Sequence, residues 1–422
     1  MKKKPFREHH LLRLLASYEQ QALPFDVVIN RYFRTHTALG AKDRAFIAET
    51  AYGLMRWRGW LDWQCQEPYC WERRLACYSA TPLPSFVQRA TQRGRDSPPP
   101  DHIAVSFPKQ LFERIVASLG VEKALRVCYV SNSVAPTTVR VNGLKIERAK
   151  LFHHWLSQSY PVKLCSFSPY GITFLRRLNL FGLPEFKQGL FEVQDEGSQL
   201  VALLVGAQRG DLVLDFCAGS GGKTLAFAPL MHNHGQIFLH DIRPWVLEEA
   251  EHRLRRAGVQ NSQIALPDSN KLQGLQGKMD WVLVDAPCSG TGTLRRNPDM
   301  KWKFSIEMLE RLVEQQRAIV QQACIYLKPG GTLVYATCSV LKEENEQQVD
   351  YFVRNFSLDL KASFGVSALC DIVVDRTLQP IRALTETGSK AELKGGCFTS
   401  IPEEGEMDGF FAARFTRFTR PI

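Results

Sequence analysis

Asp215-Phe216-Cys217-Ala218-Gly219-Ser220-Gly221-Gly222-Lys223-Thr224 places three glycines within four positions, directly after the apolar run 212–216. Glycine enters left-handed backbone without steric cost, so the stretch reads as a tight turn from a strand into a helix. Outward from it, short apolar runs at 236–239, 263–266, 281–284 and 332–336 each end near Gly, Asp, Pro or Cys. Helical stretches at 244–256 and 306–326 lie between them. Strand–helix alternation predicts an α/β fold, with a largely parallel, doubly wound sheet. Such sheets bind ligands at the carboxyl ends of their strands, so the residues just after each run are the candidates for function.

Three nucleotide-binding readings of the turn differ in spacing. A phosphate-binding P-loop needs Gly at position 217, where Cys217 stands. A dinucleotide fingerprint needs Gly or Ala at 224, where Thr224 stands. An acid four residues before a Gly-x-Gly, here Asp215 before Gly219-Ser220-Gly221, matches the loop of S-adenosylmethionine-dependent methyltransferases. Cys217, Ala218, Gly219, Ser220, Gly221, Gly222 and Lys223 would then line the cofactor. The glycines let backbone approach its methionine part, and the helix N-terminus faces its carboxylate. Asp241, ending the second strand, is placed to accept from the ribose hydroxyls; Asp268, ending the third, could reach the adenine amino group. The alternative is a tight turn with no ligand, which the acids on the next two strands weaken.

At 422 residues the chain is long enough for two to four domains of roughly 100–200 residues. Hydrophobic residues make up 45% and charged ones 23%, which excludes wholesale disorder. No run approaches the roughly 18 apolar residues of a membrane span. Met1-Lys2-Lys3-Lys4 starts like a signal peptide, but Arg13 interrupts Leu11-Leu12 and no cleavage site follows. A cytoplasmic protein with no membrane contact is expected. Eleven cysteines without repeated close pairs argue against a disulfide framework. Cys65, Cys70 and Cys77 are spaced poorly for structural zinc, so free thiols and no metal are expected.

Residues 1–190 carry 28 Lys plus Arg against 14 Asp plus Glu, whereas 191–422 carry 25 against 29. A basic front half before a slightly acidic rear half suggests a polyanion-binding arm joined to a working domain; the plainer reading is a solvated basic surface. Residues 1–78 read as a helical domain, with a helix over 41–60 whose apolar residues include Ala45, Ala48, Tyr52 and Met55. A Pro-rich linker follows over 79–103. Residues 104–190 read as a helical and α+β module belonging to that polyanion-binding arm, and 191–422 as the α/β domain.

Two cysteines follow strand ends: Cys288 within Asp285-Ala286-Pro287-Cys288-Ser289-Gly290, and Cys338 within Thr337-Cys338-Ser339. A lone cysteine after a strand is usually a small core residue. Two at one cofactor-binding edge ask for another explanation.

These stretches, with Gln194–Gln199, Cys217–Thr224, Arg296-Asn297-Pro298-Asp299, Lys301-Trp302, Glu343-Glu344-Asn345 and Asp408-Gly409-Phe410-Phe411, resemble the Sun/Nop-type RNA (cytosine-5) methyltransferases over most of residues 190–415, in the family's order. Members commonly carry Ala-Pro where this chain has Gly219-Ser220. The front half is similar to the bacterial ribosomal branch, whose helical domain is NusB-like, on Lys42-Asp43-Arg44 and the stretch 52–63. The resemblance implies a Rossmann-like methyltransferase domain, S-adenosylmethionine as cofactor and small-subunit ribosomal RNA as partner, with no obligate protein partner evident. It makes Cys338 the nucleophile that adds to carbon 6 of cytosine, and Cys288 the residue that assists product release. Asp285 would bind the cytosine edge, and Lys223 would lie between cofactor and active site. A simpler role for Lys223 is capping loop carbonyls. Two other readings stay open: a DNA cytosine methyltransferase using Pro287-Cys288, and an inactive RNA-binding ribosome-assembly factor.

Overall fold

A computed structural model describes residues 5–65, 67–80, 83–84, 99–356, 358–360, 391–394 and 397–417. Most of the expected Pro-rich linker lies outside the described residues. The chain forms two compact units, one of residues 1–135 with 293–308 and one of 136–292 with 309–422. This division runs differently from the grouping of 104–190 as one module. The helices Lys109–Leu119 and Val121–Val130 belong to the first unit, and the strands from Thr137 onward to the second.

The first unit is helical, built on Phe6–Glu19, Phe25–Thr35, Ala41–Gln64 and Trp71–Ala80 around a core that includes Leu14, Phe25, Ile47, Leu54 and Trp60. The long helix forms where the sequence predicts one, but its first half turns a different face inward. Ile47, Ala51 and Leu54 are buried, whereas Ala45 is exposed and Tyr52 half-buried. Arg56 is buried too, its guanidinium donating to the Arg295 carbonyl at 3.2 Å, so charge here does not mark the solvent face. Cys65 and Cys77 bring their sulfurs to 2.7 Å as thiols, and burial pushes the Cys65 thiol up to about 12.

Residues 293–308 join this unit through buried polar contacts. Lys301, fully buried, donates to the Arg56 carbonyl at 2.7 Å and to Asn132 Oδ1 at 2.6 Å, and lies 4.4 Å over the Phe107 ring. Burial pulls its pKa well down. Trp302 donates to the Met55 carbonyl at 2.8 Å, and Asp299 accepts from Lys303 at 2.8 Å and from Tyr18 at 3.3 Å.

The second unit holds two sheets. The smaller consists of β1 (Thr137–Val141), β2 (Val162–Leu164), β3 (Gly171–Phe174) and β4 (Phe191–Val193), antiparallel in the order β2-β3-β1-β4, over Trp155 and Phe191. The larger contains β5 (Leu212–Asp215), β6 (Gln236–Leu239), β7 (Ser262–Ile264), β8 (Met279–Asp285) and β9 (Leu327–Thr337), parallel in the order β9-β8-β5-β6-β7. From β5 the chain winds outward on one side to β6 and β7, then returns to the other side for β8 and β9. The topological switch point therefore lies between the carboxyl ends of β5 and β8, where a doubly wound sheet opens a crevice.

Side chains alternate across the sheet as the two-residue period requires. Val213, Leu283 and Val334 enter one apolar layer, and Leu214, Val282, Val284, Leu333 and Tyr335 the other. Beyond the parallel strands the sheet continues antiparallel. β10 (Leu358–Leu360), β11 (Ala391–Lys394) and β12 (Cys397–Ser400) add to it through β13 (Phe410–Arg417), which pairs with β9. No helix among the described residues is long and apolar enough to cross a membrane.

Candidate active site

A cleft of about 610 Å³ lies at the switch point, floored by residues 216–220 and flanked by Gln194, Lys223, Asp241, Arg243, Arg253 and Asp285. Its shape comes first from the turn after β5. Gly219 and Gly221 have φ of 51° and 76°, backbone that favours glycine. A side chain at 221 would also approach Ala250 to 3.2 Å.

Residues far away in sequence hold the turn from behind. Arg140 on β1 donates to the Gly222 carbonyl at 3.2 Å and to Gln194, which itself donates to Gly222 at 3.2 Å. Burial pulls the Arg140 pKa down to about 10. Arg253, from the helix Pro244–Ala257, donates to the Ser220 carbonyl at 2.8 Å and to Glu192 at 3.1 Å. Neither arginine was visible as a site residue in the sequence. Gln194 carried a signal only as the start of the Gln194–Gln199 stretch.

Three carboxylates face this region. Asp215, ending β5, is fully buried; Thr224 donates to its Oδ2 at 2.7 Å, while its Oδ1 has no partner. Burial raises its pKa to about 7, with the nearby Asp285 and Asp241 charges adding to the rise and Thr224 and Lys223 opposing it. Asp241 follows β6 and accepts from Gly219 N–H at 3.0 Å and from Arg243. Burial acts to raise its pKa, but the Arg243 bonds outweigh this and hold it low. Asp285, ending β8, accepts from Lys223 Nζ through Oδ2. Lys223 thus reaches a side chain across the crevice rather than a loop carbonyl. Although burial would lower its pKa, the Asp285 charge raises it. Cys217 is kept a neutral thiol by burial and by the three aspartates.

Asp268 is placed apart from these groups. β7 ends at Ile264, and Asp268 lies four residues beyond it, exposed, at φ 55° and outside the cleft lining. Gly221 is also outside the lining, packing instead against Ala250 of the helix Pro244–Ala257.

Cys288 and Cys338 come together although they follow different strands, with their Sγ atoms 3.4 Å apart. The hydrogen bond with Cys338, then burial, pushes the Cys288 thiol pKa well up, and the charge of Glu344 adds to this. A framework of buried polar groups fixes both turns. Glu344 accepts from Ser289 N–H at 2.8 Å and from Ser289 Oγ at 2.5 Å. Gln316 donates to the Pro287 carbonyl at 3.0 Å, and Asn345 donates to the Ser339 carbonyl at 2.9 Å while accepting from Thr337 at 2.6 Å. Gly292 donates to the Cys338 carbonyl at 2.8 Å, and a Cβ there would sit 2.1 Å from the Gly409 oxygen. The Glu344-Asn345 and Asp408–Phe411 stretches therefore shape the cysteine turns without entering the cleft. No group of three or more His, Cys, Asp or Glu among the described residues is placed to hold a metal.

A family model described as 16S rRNA methyltransferase RsmB/F matches residues 202–416, just over half the chain, and one for the ferredoxin-like domain of RsmF/B-like methyltransferases matches 107–180. The chain is 28% identical over 338 residues to a probable ribosomal RNA small subunit methyltransferase B of Synechocystis sp., covering 78% of this chain and 72% of that one. It is 30% identical over 326 residues to a 28S rRNA (cytosine-C(5))-methyltransferase of Mus musculus, covering 75% and 40%. Several other bacterial relatives are matched over 52–57% of their length. Among solved structures, a methyltransferase homologue from Pyrococcus horikoshii is 26% identical with a TM-score of 0.61, covering 75% of this chain and 98% of that one.

Proposed function

Since this chain belongs to the family of RsmB/F 16S rRNA methyltransferases, we propose that it transfers a methyl group from S-adenosylmethionine to carbon 5 of a cytosine in small-subunit ribosomal RNA. The observation that carries this reading is the pair of thiols, Cys288 and Cys338, 3.4 Å apart at the ends of adjacent parallel strands. A methyltransferase acting on oxygen or on an exocyclic nitrogen has no use for two of them.

The cleft suits the cofactor. Its volume lies within the roughly 300–1,000 Å³ usual for small-molecule sites. Asp241 and Asp285 bring carboxylates to its lining, and the left-handed turn at Gly219 leaves backbone open to the ligand. When bound there, S-adenosylmethionine supplies an electrophilic methyl group.

The residues of the chain activate the base. Carbon 5 of cytosine is a weak nucleophile, so the Cys338 thiolate adds to carbon 6 and makes carbon 5 enamine-like. After carbon 5 has gained the methyl group, a base takes its proton, the electron pair of that C–H bond re-forms the 5,6 double bond, and the bond to Cys338 breaks with its pair returning to sulfur as the thiolate. A free thiol of pKa about 8.5 is mostly protonated at neutral pH, so its surroundings must favour the thiolate. The Lys223 ammonium lies close enough to Cys338 for their charges to interact, whereas Glu344 acts on Cys288. That asymmetry supports Cys338 as the nucleophile and Cys288 as the thiol that assists release. Asp285, with Oδ2 held by Lys223, offers its other oxygen to the protonated cytosine edge.

The RNA grip falls to the basic front half. In the first unit the guanidinium groups of Arg13, Arg31 and Arg34 are exposed and make no hydrogen bond or ion pair among the described residues, as suits phosphate contacts. Labelled methyl transfer from S-adenosylmethionine to cell-extract RNA, run beside DNA, tests the proposal. Label on cytosine carbon 5 of small-subunit RNA is expected. Label on DNA alone, or RNA binding without transfer, overturns it.

A further inference from the structure

Asp241 has every acceptor position filled. Its Oδ1 accepts from the Arg243 backbone N–H at 2.9 Å and from Arg243 Nε at 3.0 Å. Its Oδ2 accepts from the Gly219 N–H at 3.0 Å and from Arg243 Nη2 at 3.1 Å. A carboxylate offers about four lone-pair sites, so this one is saturated. Two of the donors are backbone groups, fixed by the Gly-rich turn and by the start of the helix Pro244–Ala257. The other two belong to one side chain, 53% exposed, at the mouth of the cleft.

Anything that binds Asp241 from the cleft must therefore take the places of that guanidinium. We propose that Arg243 competes with the cofactor's ribose for Asp241: its Nε and Nη2 hold the two acceptor positions that the vicinal hydroxyls take, and its side chain swings into solvent as they arrive. This rests on the reading of Asp241 as the ribose acceptor. The fork of a guanidinium presents two donors side by side, as a vicinal diol does. A ligand with both hydroxyls replaces both bonds, whereas one with a single hydroxyl leaves a charged acceptor half-served. The exchange thus favours the full diol. Its cost is small, because an ion pair this exposed is weak. Meanwhile the backbone donors keep the carboxylate aimed.

Calorimetry with S-adenosylhomocysteine tests the competition without turnover. Arg243→Ala should tighten binding roughly 2- to 5-fold, the weight of a half-exposed ion pair. Arg243→Lys, with one compact donor group and the charge retained, should fall between. The 2′,3′-dideoxy analogue should gain nothing from either change. Weaker or unchanged binding of S-adenosylhomocysteine by Arg243→Ala would make Arg243 a support for Asp241 and overturn the proposal, as would an equal gain for the dideoxy analogue. Asp241→Ala separates the two levels. If it leaves affinity unchanged, the ribose reading itself fails; if it weakens binding while Arg243→Ala brings no gain, only the competition fails.

Discussion

Cys288 and Cys338 stand 50 positions apart in sequence and 3.4 Å apart at sulfur, yet their electrostatic neighbours differ. Glu344 disfavours a charge on Cys288, and Lys223 interacts favourably with one on Cys338. Two thiols this close cannot both be ionised without mutual repulsion, and the proposed mechanism puts the charge on Cys338 and the proton on Cys288.

That sorting gives the first prediction. Cys338→Ala should abolish both methyl transfer and any covalent RNA link. Cys288→Ala should still attack and methylate but stall before release, so that a protein–RNA adduct builds up on denaturing gels. Inverted results, with Cys288 essential for the adduct, would favour the mechanism of DNA cytosine methyltransferases. Two fully active variants would reduce the pair to packing. Misfolding cannot imitate the expected result, because a trapped adduct requires a working nucleophile.

How much of this was legible in the sequence follows from the range of each interaction. The five parallel strands, the Gly-rich turn and the two cysteine turns announce themselves through local apolar runs and glycine spacing. Their convergence follows from topology, since every strand end in a parallel sheet opens on one edge. What stayed hidden is held by distant partners. Arg140 lies 82 positions from Gly222, and Arg253 lies 33 from Ser220. Asp268 looked like a strand-end acid because the apolar run continues to Leu266, but β7 stops at Ile264 and leaves Leu266 47% exposed. The first half of the long first-unit helix was legible as a helix and not in its face: Ala45 is exposed, and Ile47, Ala51 and Leu54 are buried instead. Least visible was the membership of 293–308, a stretch within the α/β sequence that packs with helices more than 160 residues earlier.

That membership supports a second prediction. Lys301→Ala removes the donor from the Arg56 carbonyl and from Asn132 Oδ1, and leaves a cavity beside Phe107. Unsatisfied buried acceptors cost about 1–3 kcal/mol each, so with two of them the first unit should lose roughly 2–6 kcal/mol. Lys301→Met refills the volume without the donors and should recover only part of this. Calorimetric unfolding should show a lowered transition, and limited proteolysis should cut within 293–308 sooner. Unchanged stability of Lys301→Ala would mean that the buried contacts are replaced by water at no cost. The same packing predicts that deleting residues 1–135 exposes Trp302 and Asp299, so such a truncation should be less soluble than its cut point suggests.

Asp215 supplies a prediction in pH. In the unfolded chain its carboxyl titrates near the ordinary 3.8; folded, burial raises this to about 7. Between those values the folded protein holds a proton that the unfolded chain has released, so stability must fall as pH rises through that window. The destabilisation is complete once the folded group has ionised, above about pH 7. Asp215→Asn cannot titrate, yet its amide oxygen can still accept from Thr224 as Oδ2 does at 2.7 Å. Unfolding midpoints of the two proteins should therefore diverge from pH 5.5 to 8, with the natural chain losing roughly 2 kcal/mol relative to the variant at about 1.4 kcal/mol per pH unit below the folded pKa. Parallel curves would mean that Asp215 is already ionised at pH 5.5, with a donor satisfying the buried Oδ1.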